Sequence, residues 1–219
     1  MAFQVGGQRS APRPAPATPE AQAYLQDYTA LLEAVPFPSF VVDHRWDVVL
    51  ANGAFRTLFQ GVGSHPTAMP DDNFLRFVLF HPDAATVLGE HESSWCLPML
   101  AHFAATLERY GHDPGLQAVR RDIAQDPIME AAYRQGLPHW VRAVGARAVD
   151  HDGAVRPLHH PDPRRGTTEC RVVVETPGAL QELGYTRLTL VLREPRRTGQ
   201  RLPRARRAAA HLRVVPAAE

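Results

Sequence analysis

Histidine, cysteine and arginine are the side chains here whose types could do chemistry, and there are 11 histidines and 2 cysteines. His139, His151, Asp152 and the adjacent pair His159-His160 are close enough in sequence to raise a metal centre. Their spacing argues against it. Metal ligands recur at helical i, i+4 positions or as paired cysteines, and neither HExxH nor C-x-x-C occurs. Neighbours on a strand point to opposite faces, so His159 and His160 cannot both reach one ion from a strand. The plainer reading is a polar loop in which His160-Pro161 sets a turn. A nucleophile with a base is equally hard to assemble. Cys96 and His102 fall on different faces of one expected helix, and Ser39, Ser93 and Ser94 sit in no G-x-S-x-G context. No phosphate-binding glycine loop is present. No catalytic residue, metal ligand or cofactor is therefore assigned, and the chain is not expected to be an enzyme. Arg76, Arg142 and Arg171 are candidates to receive a carboxylate, although each reads as well as a surface charge.

A second set of residues has binding chemistry. Phe55, Phe59, Phe74, Phe77, Phe80, Trp95, Phe103 and Trp140, with Met99 among them, are enough to line an apolar pocket. The expected ligand-binding residues are Phe55, Phe59, Phe77, Trp95, Met99, Phe103 and Trp140. For any one of them, ordinary core is the plainer reading.

The elements that must position these groups follow from periodicity. Thr18-Pro19-Glu20 reads as cap and first turn of a helix whose apolar stripe is Tyr24, Leu25, Tyr28, Leu31, Leu32 and Val35. Pro36 and Pro38 end it. In PFPSFVVDHRWDVVLANGAFRTLF, Phe40 and Val42 alternate with Ser39 and Val41, a turn follows at His44-Arg45, and Val48 and Leu50 repeat the period. Asn52 then caps a helix. Helical segments follow through Phe74–Leu79, Asp83–Leu88, Trp95–Tyr110, Leu116–Ile123 and onward from the cap Asp126-Pro127, with Gly136 as a stop. Val141–Val149 is expected to be extended, His151-Asp152-Gly153 a turn, and Ala154–Leu158, Thr168–Glu175 and Tyr185–Leu192 strands, the last two joined by a short helical turn. The order of strands, helices and strands describes an α+β fold, an antiparallel sheet with helices packed on one face. The first hairpin is expected at its centre.

Composition sets the bounds. At 219 residues with 44% hydrophobic content the chain affords one domain, 19–195, flanked by a Pro/Ala/Gly-rich segment 1–18 and a basic tail 196–219, both expected to be disordered. No apolar run is long enough for a membrane span or a signal peptide, and the sparse cysteines fit a reducing, cytoplasmic setting. Every non-histidine base is Arg, and eight of these from Arg193 onward oppose only Glu194 and Glu219. With the whole chain at +1, the body between the basic ends is acidic and is no nucleic-acid platform.

The segments SFVVDHRWDVVLANGAF, DNFLRFVLFHPDAATVL and DPGLQAVRRDIAQDPIMEAAYR, followed by LHHPDP and ETPGALQELGYTRLTLVLREP, resemble the ligand-binding domain of MmyB-like transcription regulators over about residues 20–195. That resemblance implies a PAS-like sensor, normally attached to an N-terminal XRE-type helix-turn-helix of a bacterial regulator and binding fatty-acid-like molecules. It implies no catalytic residues. The stretch before Thr18 is too short for a helix-turn-helix, so DNA contact is expected only through a part not present in this chain, or weakly through the basic tail. A homodimer is expected through the N-terminal helix. The alternatives are a protein-interaction module without a ligand and a small metal-dependent enzyme using the His-rich loop.

Overall fold

A computed structural model of the chain describes residues 18–162 and 166–193. The basic tail 196–219 and nearly all of the segment 1–18 lie outside them. Helix α1, Pro19–Glu33, starts as its cap dictates: the Thr18 hydroxyl accepts from Ala21 N at 3.2 Å, and Pro19 occupies a position where no N–H is needed. Strands β1, Ser39–Val42, and β2, Val48–Ala51, make the hairpin, and α2, Gly53–Leu58, follows. The helical middle contains α3, Phe74–Phe80, and α4, Ala84–Val87. A π-helical turn, His91–Cys96, runs into α5, Leu97–Arg109. Helices α6, Pro114–Gln125, and α7, Pro127–Ala131, come next. A second π turn, Ala132–Gly136, leads into α8, Leu137–Val144, and a 3-10 turn, Gly145–Val149, closes the layer. Strand β3, Val155–His159, β4, Thr167–Glu175, helix α9, Gly178–Glu182, and β5, Thr186–Arg193, complete the described chain.

The sheet is antiparallel throughout, in the order β2-β1-β5-β4-β3. The fold is thus α+β as expected, but the hairpin is not central. Strand β5 returns between β1 and β4 and takes that place, leaving β2 at an edge. The region 141–149 is helical rather than extended, and Gly136 does not stop the chain. Gly136 keeps helical angles, φ −66 and ψ −49, while Leu137 is buried and Trp140 packs against the same core. Burying that face outweighs the weak strand preference of valine. The helix ends at Gly145, whose φ of 76 is open to glycine.

Both faces of the sheet are covered in part, which is why β1 is buried at every position. Phe40, Val42, Val172, Leu188 and Leu190 meet the helical middle. Val41 points the other way and packs with Leu25, Tyr28 and Leu32 of α1 and Leu180 of α9. The apolar stripe of α1 is therefore docked on its own sheet, with Leu31 left outside at 64% exposure.

Asn52 ties these layers together. Its Oδ1 accepts from Phe55 N at 2.9 Å, capping α2, and from Ser39 N at 3.0 Å. Its Nδ2 donates to the carbonyls of Leu32, Val35 and Phe37 at 3.2, 2.9 and 2.9 Å. One buried amide thus fixes the end of α1, the start of β1 and the start of α2.

Candidate functional site

The hairpin turn carries the first wall of the site. Trp46 sits at φ 65, a left-handed conformation that costs a bulky residue about 1–3 kcal/mol and persists only when its surroundings impose it. They do. The Asp43 carboxylate accepts from the backbone of Arg45 and Asp47 at 2.8 and 3.0 Å. Asn73 Nδ2 donates to Arg45 O at 2.9 Å, and Phe74 N donates to Trp46 O at 3.0 Å. The turn is thereby fastened to the start of α3. The indole, buried, lies 6.2 Å from the Phe74 ring and nearly perpendicular to two imidazoles, His102 at 5.2 Å and His151 at 5.3 Å.

These rings stand at the edge of a pocket of about 490 Å³ between the hairpin turn, the end of α5 and the sheet. Val42, Val174 and Leu188 form its apolar floor on β1, β4 and β5, Trp46 and His102 one side, and Tyr110 and Tyr185 the rim. Gly184, at φ 76, ends α9 and turns Tyr185 into place, with Gly184 N and Tyr185 N donating to the carbonyls of Gln181 and Leu180. At the mouth, the His44 ring lies 4.8 Å from Tyr110, and its Nε2 is 3.2 Å from Asp113 Oδ2. This contact joins the hairpin turn to the end of the loop after α5.

His151 is the polar element of the deep wall. It is 6% exposed. Its Nδ1 lies 2.6 Å from Arg156 Nη2, and a guanidinium can only donate, so Nδ1 accepts and Nε2 carries the hydrogen. That Nε2 is buried with no hydrogen-bond partner among the described residues. Burial holds the His151 pKa well below the ordinary histidine value, and the Arg156 charge and the His102 ring act in the same direction. Arg156 is buried beneath the sheet, its guanidinium 5.0 Å over the Trp95 ring, and burial pulls its pKa down to about 10. Among the described residues no carboxylate pairs with it. His102 is lowered by burial too, against an opposing bond from its Nδ1 to Val149 O at 3.4 Å.

The aromatic residues expected to bind a ligand lie elsewhere. Phe55, Phe59, Phe77, Trp95, Met99 and Phe103 are each 5% exposed or less and packed into one core cluster, and Trp140 leans on that cluster from α8. Trp95 Nε1 is spent on Pro157 O at 3.0 Å. None of the seven lines the 490 Å³ pocket. Among the candidate arginines, Arg76 pairs with Asp122 at 2.5 Å, Arg171 donates to Gly153 O and Arg142 is exposed. Trp46 and His102, which line this pocket, and Arg156, which bonds His151, were not among the expected ligand-binding residues. A detectable signal existed for Arg156, which falls in phase with Leu158 on β3, the phase of a buried side chain.

The histidines raised as metal ligands do not converge. His139 is exposed on α8, His159 Nδ1 lies 3.2 Å from Thr167 Oγ1, and His160 Nδ1 accepts from Asp162 N. Among the described residues no group of three His, Cys, Asp or Glu side chains is placed to hold an ion. The imidazole beside Cys96 is His91, with Nε2 3.3 Å from Sγ, but burial pushes the thiol up to about 12 and leaves it protonated. Among the described residues no helix is long and apolar enough to cross a membrane.

The model of one known family, the MmyB-like transcription regulator ligand binding domain, matches residues 26–186. No curated protein matches the chain.

Proposed function

Because the chain belongs to the family of MmyB-like transcription regulator ligand-binding domains, we propose that it is the PAS-like sensing part of a cytoplasmic bacterial regulator, and that it holds an apolar, fatty-acid-like molecule in the pocket beside Trp46. The observation that supports this reading is the pocket itself. At about 490 Å³ it is of ligand size, apolar on its sheet side, and one of its lining side chains, His151, has a buried nitrogen with no hydrogen-bond partner among the described residues. A chain too long for it would push past Trp46 toward Phe55, Phe59, Phe77, Trp95, Met99 and Phe103, with Trp140 behind them.

The signal would be a population shift. Val42 and Leu188 touch the pocket, whereas their strand neighbours Val41 and Arg187 face α1. Arg187 Nη1 donates to Tyr28 OH of α1 at 3.4 Å. A ligand that favours one setting of β1 and β5 therefore favours one setting of α1. In this reading residues 19–195 are the sensing unit. DNA is contacted by a helix-turn-helix of the kind such regulators carry, or weakly by the Arg-rich tail, and the regulator works as a homodimer.

Native mass spectrometry of the purified chain, with extraction of any retained molecule and thermal melting in decanoic acid, tests it. Retention of an acyl compound or a ligand-dependent rise in melting temperature is expected. A chain that carries nothing and gains no stability from any fatty acid would instead be an interaction module.

A further inference from the structure

The deep wall of the pocket is built for one kind of ligand end. His151 is held between two facts: its Nδ1 takes a hydrogen from Arg156 at 2.6 Å, and its Nε2–H is buried without an acceptor among the described residues. A buried donor left unpaired is costly, and the natural relief is an acceptor brought by a ligand. Arg156 adds a second, independent constraint. It is 5% exposed, with the His151 ring, the Trp95 face and the protonated Cys170 thiol beside it, and no carboxylate pairs with it among the described residues. A positive charge one imidazole away favours an incoming oxygen with negative or partial negative charge and repels a cation.

We infer that His151, positioned by Arg156, is a head-group subsite that presents a single N–H to a ligand oxygen carrying no positive charge, as in a carboxylate, an ester or a ketone, and that it rejects amines. The inference rests on the pocket being a ligand site and adds which end of the ligand goes in first. Trp46 and His102 cover the imidazole at ring separations of 5.3 and 5.0 Å, so seating that oxygen moves the indole and is visible in tryptophan fluorescence.

The subsite makes its own demands of a titration. Matched ten-carbon probes, decanoic acid, 2-decanone and decylamine, are titrated into the full chain and into two variants. His151→Asn keeps an acceptor for Arg156 but has no group at the Nε2 position. His151→Gln keeps an N–H there. Acid and ketone are expected to bind, with decylamine about tenfold weaker or worse, the loss of one hydrogen bond and its replacement by repulsion. His151→Asn should bind acid and ketone about tenfold less tightly, and His151→Gln should restore most of the affinity. Equal binding of amine and acid, or an unchanged preference in His151→Asn, overturns the subsite while leaving the sensing reading in place. Failure of every probe overturns the sensing reading, and the subsite with it. Nitrogen-15 spectra of the imidazole give a check that needs no ligand: a hydrogen on Nδ1 rather than Nε2 of His151 in the folded chain overturns the assignment.

Discussion

Replacing Asn52 by alanine should cost this domain more than any surface change, because five hydrogen bonds end on one side chain. The cap of α2 is worth about 1 kcal/mol. Ser39 N, buried inside β1, is left without an acceptor, and an unpaired buried group of that kind costs about 1–3 kcal/mol. The carbonyls of Leu32, Val35 and Phe37 lose their shared donor; the two nearer the chain surface regain water, so their loss adds roughly 1 kcal/mol. The sum is about 3–5 kcal/mol, a large part of the 5–15 kcal/mol that holds a typical domain. For a chain of this size it lowers the melting temperature by roughly 10 °C. Urea unfolding followed by far-ultraviolet circular dichroism measures it, with Asp126→Ala, which removes the side-chain cap of α7, as the control. Hydrogen exchange should also quicken at the end of α1, which Asn52 holds against the hairpin. A loss below about 1 kcal/mol, or α1 protected as before, would refute the assignment of Asn52 as the joint between layers.

Two other outcomes follow from the packing and the titrating groups. Phe103→Ala should destabilise by about 3–5 kcal/mol as a cavity in solid core, yet leave the rise in melting temperature caused by decanoic acid unchanged, since Phe103 is fully buried and does not touch the pocket; a variant that folds but no longer responds would place the ligand in the aromatic core. Stability should fall as pH drops below about 6.5, because burial holds His151 neutral well below that ordinary value while the unfolded chain takes up the proton, with a slope approaching 1.4 kcal/mol per pH unit for this group and His102 acting in the same direction; the slope should be shallower in His151→Asn, and an identical pH profile in the two proteins contradicts the burial of a neutral His151.

The hairpin, the caps at Thr18, Asn52 and Asp126 and the long stripe of α5 were legible because each is a local pattern with a local cause. Val141–Val149 was not. Its valines read as strand, whereas the decision lies with Leu137 and Trp140, whose burial against α5 no window of sequence displays. The place of the hairpin in the sheet was likewise a matter of where the last strand returns, a contact between residues 39–42 and 186–189. The aromatic residues pack into one core cluster, and none of the seven lines the pocket beside Trp46. The pocket is assembled from the hairpin turn, α5, β4 and β5, and its most telling group, His151, looks in sequence like a turn residue before Asp152-Gly153. Its Nε2, which has no hydrogen-bond partner among the described residues, and the buried Arg156 on its Nδ1 distinguish it, and both are properties of the folded chain.

The central claim is that the pocket beside Trp46 holds the ligand, and thermal melting of the native chain against Val174→Trp, which fills the pocket from its sheet wall, tests it most directly. At a hundred times its dissociation constant a ligand stabilises the fold by about 2.7 kcal/mol, so decanoic acid should raise the melting temperature of the native chain by roughly 5–10 °C and that of Val174→Trp hardly at all. An equal rise in both proteins, or none in the native chain, would contradict the account.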